Sequence, residues 1–300
     1  DFTMTHSGII STLNCIALAA IMLAGAPPAG AVDLPAEVTV PSFWDPSHRT
    51  EKPDLSNMRA IRILAESENP PFAFIGAEGL PTGFSVELAR AICLELEVPC
   101  TVQTLKWNYL PGGIDSGLGD PVIGAFAITA DSRARFDFSN RFLTRPGRFV
   151  VRRKAGEMEV IPEGLAGKRV AVQSGTAHEA YMRAFFPGSV LFTFETEDEA
   201  RAALKDGKVD ALFADGLNAS VWLNGTTSEN CCRFAGGPFT DARYFGEGLA
   251  IAVEPGNDEL REAFDFALAR IQENGTFREI FLRYFPVSFF CPKKPLMDPD

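Results

Sequence analysis

The chain contains 300 residues, of which 46% are hydrophobic and 22% are charged. These proportions describe a folded globular protein with a sizeable core, and they exclude disorder or low complexity for most of the chain. The formal net charge is −11, and no stretch of the sequence is rich in Lys and Arg. Because phosphate backbones repel such a chain, we expect no nucleic-acid partner.

The first feature along the chain resembles a targeting signal. An apolar run over 16–24 is followed by the small residues 29–31, which fit the rule for signal peptidase cleavage, and the run is too short to span a bilayer. We therefore predict a signal peptide over 1–31 and an exported protein. A buried N-terminal helix is the alternative, because no Lys or Arg precedes the run. The Pro-rich, polar residues 32–57 are predicted to form an extended leader.

Strands and helices alternate in a first block. Apolar residues at positions 84, 88, 92 and 96 have the period of an amphipathic helix. Glycines interrupt the segment that follows the second strand, so any helix there is expected to be short. The predicted elements are a strand over 60–65, a loop over 69–83, the helix over 84–96, a strand over 101–105 and a buried strand over 121–127.

A second block begins after Arg145-Pro146-Gly147. Thr196 and Glu199 have the spacing of a capping box, and Asp215 is placed to open a helix. We expect 288–300 to form a tail. The predicted elements are a strand over 168–173, a helix from 176 to about 186, a strand over 190–194, a helix over 196–205, a strand over 209–214, a turn at 236–238, a strand over 248–253 and helices over 258–273 and 276–284.

Two such blocks imply two α/β lobes with mainly parallel sheets. Ligands in these folds bind outside the carboxyl ends of the strands, so a cleft between the lobes is the expected site. The sequence contains no Walker loop, no nucleophile elbow and no Ser/His/Asp pattern. We therefore predict no catalytic residue and no cofactor.

Cysteine usage agrees with export, and five cysteines lie beyond the predicted signal peptide. They form no CxxC pair and have no His at ligand spacing, so we predict no metal site. Cys93 ends a predicted helix and Cys100 begins a strand, so a tight return can bring the two within disulfide reach. A bridge from Cys231 or Cys232 to Cys291 is a second possibility, and the sequence does not choose between the two.

A series of short motifs runs through the chain in a fixed order. They are Pro71-Phe72, Gly83-Phe84-x-x-Glu87-Leu88, Ile128-Thr129, Asp137-Phe138-Ser139, Leu165-x-Gly167-Lys168, Gly175-Thr176, Val209-Asp210-Ala211, Asp215, Phe234-Ala235-Gly236-Gly237-Pro238, Asp241, Phe245-Gly246 and Asn274-Gly275-Thr276. This order resembles the extracellular solute-binding proteins of family 3, which serve polar amino-acid import. The later motifs are most similar to the histidine-binding and lysine/arginine/ornithine-binding members.

The resemblance implies the two-lobe periplasmic-binding-protein fold (type II), with two crossover hinge strands and a ligand cleft between the lobes. The first lobe would comprise 58–147 plus 238–287, and the second lobe 150–236. A disulfide between Cys93 and Cys100 is also implied. The protein would be a periplasmic monomer without a cofactor, and its partners would be a small polar ligand and the membrane permease of an ABC importer.

Part of the family's ligand pocket can be carried over to the second lobe. Asp215 matches the carboxylate that holds the α-ammonium group of the ligand, a charge-assisted contact of the stronger kind. N-capping of a helix is the structural alternative for this residue. Gly175 and Thr176 match the loop that offers backbone donors to the ligand carboxylate, and Ala177 stands where the family often has a hydroxyl.

The first lobe departs from the family pattern. Ser132 stands where the family places the Arg that grips the α-carboxylate as a bidentate fork, and Arg133 is one position later. Ala125 and Ala127 replace the hydroxyl and small residues of the preceding strand. We therefore expect either that Arg133 reaches into the cleft or that the ligand is an amine or another compound that is not a standard α-amino acid.

Three further positions of the first lobe are candidates for the cleft. Asn69 replaces an aromatic residue that would form one wall. Trp107 matches an apolar or aromatic position and is suited to stack on a cation or a flat ligand, with core packing as the alternative. Glu66 is suited to meet a cationic side chain, with a solvated strand end as the alternative.

The favoured function is thus a periplasmic receptor that closes its lobes on a small polar nitrogenous solute and delivers it to an ABC importer. An alternative is a secreted dehydratase of the cyclohexadienyl type, which needs a cleft acid with a raised pKa, for which Glu66, Glu68 and His178 are the candidates. For His178 the favoured interpretation is instead an exposed residue in the first turn of a helix. A second alternative is a ligand-sensing module. Fold analogy alone does not separate these functions.

Overall fold

The computed structural model describes residues 38, 40–43, 51–56, 58–124 and 128–286. The predicted signal peptide and tail lie outside the described residues, as do Ala125 and Ala127. The described residues of the predicted leader form no helix or strand.

The strands are β1 (Ile61–Glu66), β2 (Glu68–Asn69), β3 (Ala73–Ile75), β4 (Pro81–Thr82), β5 (Cys100–Leu105), β6 (Pro121–Val122), β7 (Asp137–Phe138), β8 (Gly147–Arg152), β9 (Arg169–Gln173), β10 (Val190–Phe194), β11 (Ala211–Asp215), β12 (Cys232–Phe239) and β13 (Ala252–Val253). The helices are α1 (Phe84–Leu96), α2 (Leu110–Asp115), α3 (Ala130–Arg133), α4 (Ala177–Phe185), α5 (Glu197–Lys205), α6 (Gly216–Asn224), α7 (Ala242–Phe245), α8 (Asp258–Glu273) and α9 (Thr276–Tyr284). Two short 3-10 turns lie at Trp107–Tyr109 and Thr226–Ser228.

Two five-stranded sheets organise the chain into two lobes. The sheet of the first lobe has the order β5-β1-β6-β13-β7, and that of the second lobe has the order β10-β9-β11-β8-β12. A small antiparallel sheet, β2-β3-β4, lies within the segment that was predicted to be a loop.

The expectation of mainly parallel sheets is wrong for half of the strand pairs in the two five-stranded sheets. In the first lobe β13 runs antiparallel to β6 and β7, and in the second lobe β8 runs antiparallel to β11 and β12. The reason is that the antiparallel strands β8, β12 and β13 lie next to the points where the chain crosses between the sheets.

The chain passes between the two sheets twice. Leu143 bridges Leu249 in the first lobe, and β8 begins in the second lobe only four residues later, at Gly147. The return runs from Phe239, the last residue of β12, through α7 to Leu249. We call 143–147 the first crossover and 239–249 the second crossover.

Local signals explain where several helices begin. The predicted capping box forms at α5, where the Thr196 hydroxyl accepts from the Glu199 backbone and the Glu199 carboxylate accepts from the Thr196 backbone. At α1 the preceding residue Gly83 has φ +119°, and a Cβ there would lie 2.4 Å from the carbonyl oxygen of Phe72. Only glycine fits this close turn into the helix.

Each lobe has its own apolar core. In the first lobe α1, α8 and α9 pack together over the sheet, and phenylalanines dominate the contact. Each fully buried side chain of this size stabilises the fold by about 1.5–3 kcal/mol relative to exposure. The fully buried phenylalanines of this cluster are Phe72, Phe84, Phe142, Phe264, Phe277, Phe281 and Phe285.

Two strand predictions and one turn prediction need correction. The strand predicted over 248–253 is reduced to β13, with an isolated bridge at Leu249. The strand predicted over 121–127 ends at Val122, and Gly124, the last described residue before the gap, is outside it. The turn predicted at 236–238 is instead an irregularity inside β12, where the register shifts between Ala235 and Phe239. Gly-Gly-Pro breaks the regular ladder without reversing the chain, because a residue without an N–H and two without side chains favour a bulge as well as a turn.

The Cys93–Cys100 disulfide is confirmed, with the two Cα atoms 6.0 Å apart across the return from α1 to β5. The second bridge differs from the prediction, because Cys231 is bonded to its neighbour Cys232. Neither sulfur is therefore left for Cys291, which lies outside the described residues. Spacing carries no signal for this pairing, since adjacent cysteines close no loop between separate elements.

Among the described residues, no helix has the length and the hydropathy that a bilayer span requires. Over the same ranges, no three His, Cys, Asp or Glu side chains come together in a way that could hold a metal ion.

Candidate functional site

A cavity of about 320 Å³ opens at the carboxyl ends of β9 and β11, where ligands of α/β sheets bind. Its size lies at the lower end of the range for small-molecule sites. The loops after the two strands form one side, and the two crossovers contribute the other. The lining residues are Arg145, Gln173, Thr176, Ala177, His178, Glu197, Phe213, Ala214, Asp215, Asn218, Tyr244 and Phe245.

Asp215 is the buried carboxylate of this cavity. It ends β11 and caps α6, where its Oδ1 accepts from the backbone N–H of Asn218 at 2.9 Å. Its Oδ2 accepts from Nε of Arg145, also at 2.9 Å. The side chain of Asp215 is only 9% exposed. The structure therefore unites the predicted capping role with a charged contact inside the cavity.

Arg145 reaches Asp215 because of the register of the second sheet. Gly147, the first residue of β8, pairs with Asp215, the last residue of β11, so the first crossover passes directly beside the carboxylate. The Arg145 side chain is 29% exposed and lines the cavity. Within the described part of the chain, its two terminal nitrogens make no hydrogen bond. Arg145 also borders a second cavity of about 340 Å³ beside the crossovers.

His178 forms part of an aromatic wall in the first turn of α4. Its ring centroid lies 5.5 Å from that of Phe213 and 5.1 Å from that of Phe245. Its Nε2 is buried without a hydrogen-bond partner among the described residues. Burial lowers the pKa of this imidazole, and the nearby Asp215 charge opposes that effect. His178 is therefore held in its neutral form near pH 7.

Glu197 is a second acid at the cavity, in the first turn of α5. Burial raises the pKa of its carboxyl above the ordinary value, and the contact with Arg201 at 2.7 Å opposes this effect. The Arg201 side chain is itself largely buried, so the pair compensates its own charge.

The loop after β9 brings two of its three predicted residues to the cavity. Thr176 and Ala177 line it, and Thr176 also caps α4 through the backbone N–H of Glu179. The N–H of Gly175 instead donates to the Glu179 carboxylate at 2.8 Å. The backbone donor expected from Gly175 is thus engaged within the loop.

The predicted residues on strand ends of the first lobe lie outside this cavity. The side-chain amide of Asn69 donates to the Glu66 carboxylate at 2.7 Å. Oε1 of Glu68 lies 3.7 Å from Nζ of Lys106. Trp107 lies in a short 3-10 turn with 44% of its surface exposed. The acids proposed for a dehydratase, Glu66 and Glu68, are therefore not among the residues that line this cavity with His178.

Ser132 and Arg133 also lie outside the cavity. Ser132 forms a reciprocal cap with Thr129 at the start of α3. Arg133 donates to both oxygens of Glu247, from Nε at 3.1 Å and from a terminal nitrogen at 2.6 Å. This bidentate pair occupies the Nε edge of the Arg133 guanidinium.

Sequence reasoning missed several lining residues. Arg145 precedes a Pro-Gly break, which gives no hint of a neighbour 70 residues away. Tyr244 and Phe245 come from the second crossover, a segment for which we predicted no helix. His178 lies in the first turn of a helix, as expected, but the expected exposure is wrong because its ring packs against Phe213 and Phe245 with Nε2 buried.

Two α/β lobes joined by two crossovers, with a polar cavity at the strand ends, define a class of ligand receptors. The sequence profile of the bacterial extracellular solute-binding proteins, family 3, matches residues 61–287. The chain belongs to this family, and its architecture is the type II periplasmic-binding-protein fold.

Individual relatives agree with this placement. The chain is 30% identical over 235 residues to the L-arginine-binding protein of Pseudomonas aeruginosa, covering 78% of this chain and 90% of the relative. It is 27% identical to the L-cystine-binding protein of Escherichia coli K12, covering 85% of this chain and 92% of the relative. A solved ancestral cationic amino acid solute binding protein has 25% identity and a TM-score of 0.64, covering 77% of this chain and 98% of that one.

Proposed function

We propose that this chain is the periplasmic receptor of an ABC importer and that it closes its two lobes on a polar amino acid or a related amine. The observation that carries the proposal is Asp215, a buried carboxylate at the cavity on the carboxyl ends of the strands. A ligand ammonium that contacts it would gain a charge-assisted bond in a site that is shielded from water.

The names of the relatives support the same substrate class, since they bind arginine or cystine. The membrane permease of the importer is the proposed partner. Export through the segment 1–31 and action as a monomer are part of the proposal.

A thermal-shift panel of amino acids and amines tests this function. Bound ligand is first removed by partial unfolding and refolding. A ligand at a hundred times its dissociation constant stabilises the fold by about 2.7 kcal/mol, which raises the midpoint by several degrees in a chain of this size. If no amino acid or amine shifts the midpoint of the stripped protein, the proposed function is wrong.

Two variants of Asp215 separate its roles. Asp215→Asn keeps an acceptor for the α6 cap but removes the charge, so we expect affinity to fall about ten- to a hundredfold with little loss of stability. Asp215→Ala removes both the charge and the acceptor of the cap, so it should also lower the free energy of unfolding by about 1 kcal/mol. Unchanged affinity in Asp215→Asn would show that the ammonium binds elsewhere.

A further inference from the structure

The charges around the cavity are arranged as a pair of opposite sign. Of the described lining residues, Arg145 is the only Arg or Lys, and it stands in direct contact with the Asp215 carboxylate. Glu197 is already compensated by Arg201, and burial disfavours a charge on His178. The site therefore offers one cation and one anion side by side.

The guanidinium of Arg145 has capacity left for a second partner. Its Nε–H is used by Asp215, whereas the four N–H donors on its terminal nitrogens make no hydrogen bond within the described residues. The planar fork of Arg matches the two oxygens of a carboxylate. Its partial exposure in the cavity leaves it within reach of a ligand.

The charge balance distinguishes two kinds of ligand. A zwitterion would place its ammonium on Asp215 and its carboxylate on Arg145, adding no net charge to the cavity. An amine without a carboxylate would bring a second cation next to Arg145, with no anion to compensate it. Two cations that both contact the Asp215 carboxylate would repel each other strongly in a partly buried site.

Arg133 is less suited than Arg145 to bind a ligand carboxylate in this cavity. One edge of its guanidinium, formed by Nε and a terminal nitrogen, is bonded to both oxygens of Glu247, and neither residue lines the cavity. The guanidinium of Arg133 is thus already neutralised by a carboxylate outside the cavity.

We propose that Arg145 is the residue that grips the ligand α-carboxylate, so that the cavity selects zwitterionic α-amino acids over their decarboxylated amines. This inference rests on the proposed function and names its substrate class. On binding, the ligand ammonium shares Asp215 with Arg145 or takes its place, and the freed guanidinium closes on the carboxylate. Because Arg145 belongs to the first crossover, the same step links ligand recognition to the segment that joins the lobes.

Calorimetric titration of the ligand-stripped protein tests the assignment. The amino acid with the largest thermal shift in the panel is compared with its own decarboxylated amine, for example L-arginine with agmatine or L-histidine with histamine. We expect the wild-type protein to favour the amino acid by at least tenfold. In Arg145→Gln the affinity for the amino acid should fall about ten- to a hundredfold, while that for the amine is unchanged or tighter.

Further variants keep the result interpretable. Arg62→Gln breaks an Arg–Asp pair with Asp120, neither of which lines the cavity, and should preserve the preference. Arg145→Lys keeps the charge beside Asp215 but lacks the fork, so the preference should shrink, and this variant carries the test if Arg145→Gln does not fold.

Four results would overturn the assignment. They are a wild-type protein that binds the amine as tightly as the amino acid, an Arg145→Gln protein that keeps the preference, an Arg145→Lys protein indistinguishable from wild type, and an Arg133→Gln protein that loses the preference. In each case ligands still bind, so the receptor function stands. Absence of binding by every compound would instead refute the proposed function and this assignment with it.

Discussion

Asp215 accepts a hydrogen bond from the α6 backbone with one oxygen and from Arg145 with the other. The first contact needs only an acceptor of the right shape, which Asn also provides, whereas the second contact depends on charge. Two other side chains are also sensitive to charge, Asp265 on α8 and His178 on α4, because burial disfavours their charged forms. For each of them the direction of the pKa shift predicts how the stability of the fold changes with pH.

Asp265 is predicted to destabilise the fold at neutral pH. It accepts a hydrogen bond from the backbone of Asn140, and burial raises the pKa of its carboxyl from 3.8 to about 6. Asp265→Asn keeps an acceptor and removes the buried charge, so we expect the free energy of unfolding at pH 8 to rise by about 1–3 kcal/mol.

The pH dependence of this effect has a definite sign. Between pH 6 and pH 4 the folded protein binds a proton at Asp265 that the unfolded chain does not, so the penalty disappears as the pH falls. Urea unfolding at pH 8 and pH 4.5 should therefore show a gain for Asp265→Asn that shrinks at the lower pH. Asp258→Asn, at an exposed carboxylate of the same helix, is the control and should show no gain. A variant less stable than wild type at pH 8 would contradict the prediction.

His178 has the opposite pH dependence. Because burial lowers its pKa in the folded protein, the unfolded chain takes up the proton first as the pH falls below about 6.5. Stability from the neutral imidazole is thus present above that pH and lost below it, by at most about 1.4 kcal/mol per pH unit. His178→Phe fits the aromatic wall and does not titrate. Urea unfolding from pH 7.5 to 5 should show a steeper loss for wild type, and parallel profiles would contradict this.

At the scale of elements, the return from α1 to β5 is short and cross-linked. The helix ends at Leu96, Glu97 adopts the left-handed conformation that closes its last turn, and β5 begins at Cys100. Cys93 and Cys100 thus join the end of a helix to the start of the edge strand in the first sheet.

Removing this cross-link should lower the stability by an amount that increases slowly with the length of the loop it closes. The two cysteines are separated by seven positions, so in the chain-entropy treatment the disulfide stabilises the fold by about 2–3 kcal/mol. We expect the double variant Cys93→Ala with Cys100→Ala to lose this amount in urea unfolding. Replacing the adjacent Cys231 and Cys232 is the matched control and should cost less, because that bond closes almost no loop. Equal losses in the two variants would contradict the loop argument.

At the scale of the whole molecule, the site lies where both crossovers meet the second sheet. Arg145 comes from the first crossover, Tyr244 and Phe245 come from the second crossover, and Asp215 and Thr176 come from the sheet loops. Ligand contacts can therefore act on the segments that connect the lobes. The ligand favours the closed form only through contacts that the open form does not make.

Small-angle X-ray scattering should detect this closure. Addition of the tightest amino acid from the panel is expected to reduce the radius of gyration of the ligand-stripped wild type, because closure brings the lobes together. Asp215→Asn at the same ligand concentration, well below its weakened dissociation constant, should keep the larger value. A bound wild-type protein with an unchanged radius would show that binding does not require closure.

Short-range sequence patterns predicted several secondary-structure elements correctly. The apolar period predicted α1 and the Thr196–Glu199 spacing predicted the cap of α5, because both signals act within one or two helical turns. The order of motifs identified the family and thereby the two-lobe fold. The lobe boundaries and the signal peptide over 1–31 remain predictions.

The charge partners inside and beside the site were decided by tertiary structure alone. Arg145 and Asp215 are 70 residues apart, and Arg133 and Glu247 are 114 apart. Which arginine meets which carboxylate depends on strand register and on where the chain crosses between sheets, and no local pattern encodes either. The sequence by itself therefore determined most of the elements and the family, and it pointed to Asp215, which lines the cavity. Only the fold decided that Arg145 stands beside Asp215, because such pairs form only after the sheets are assembled.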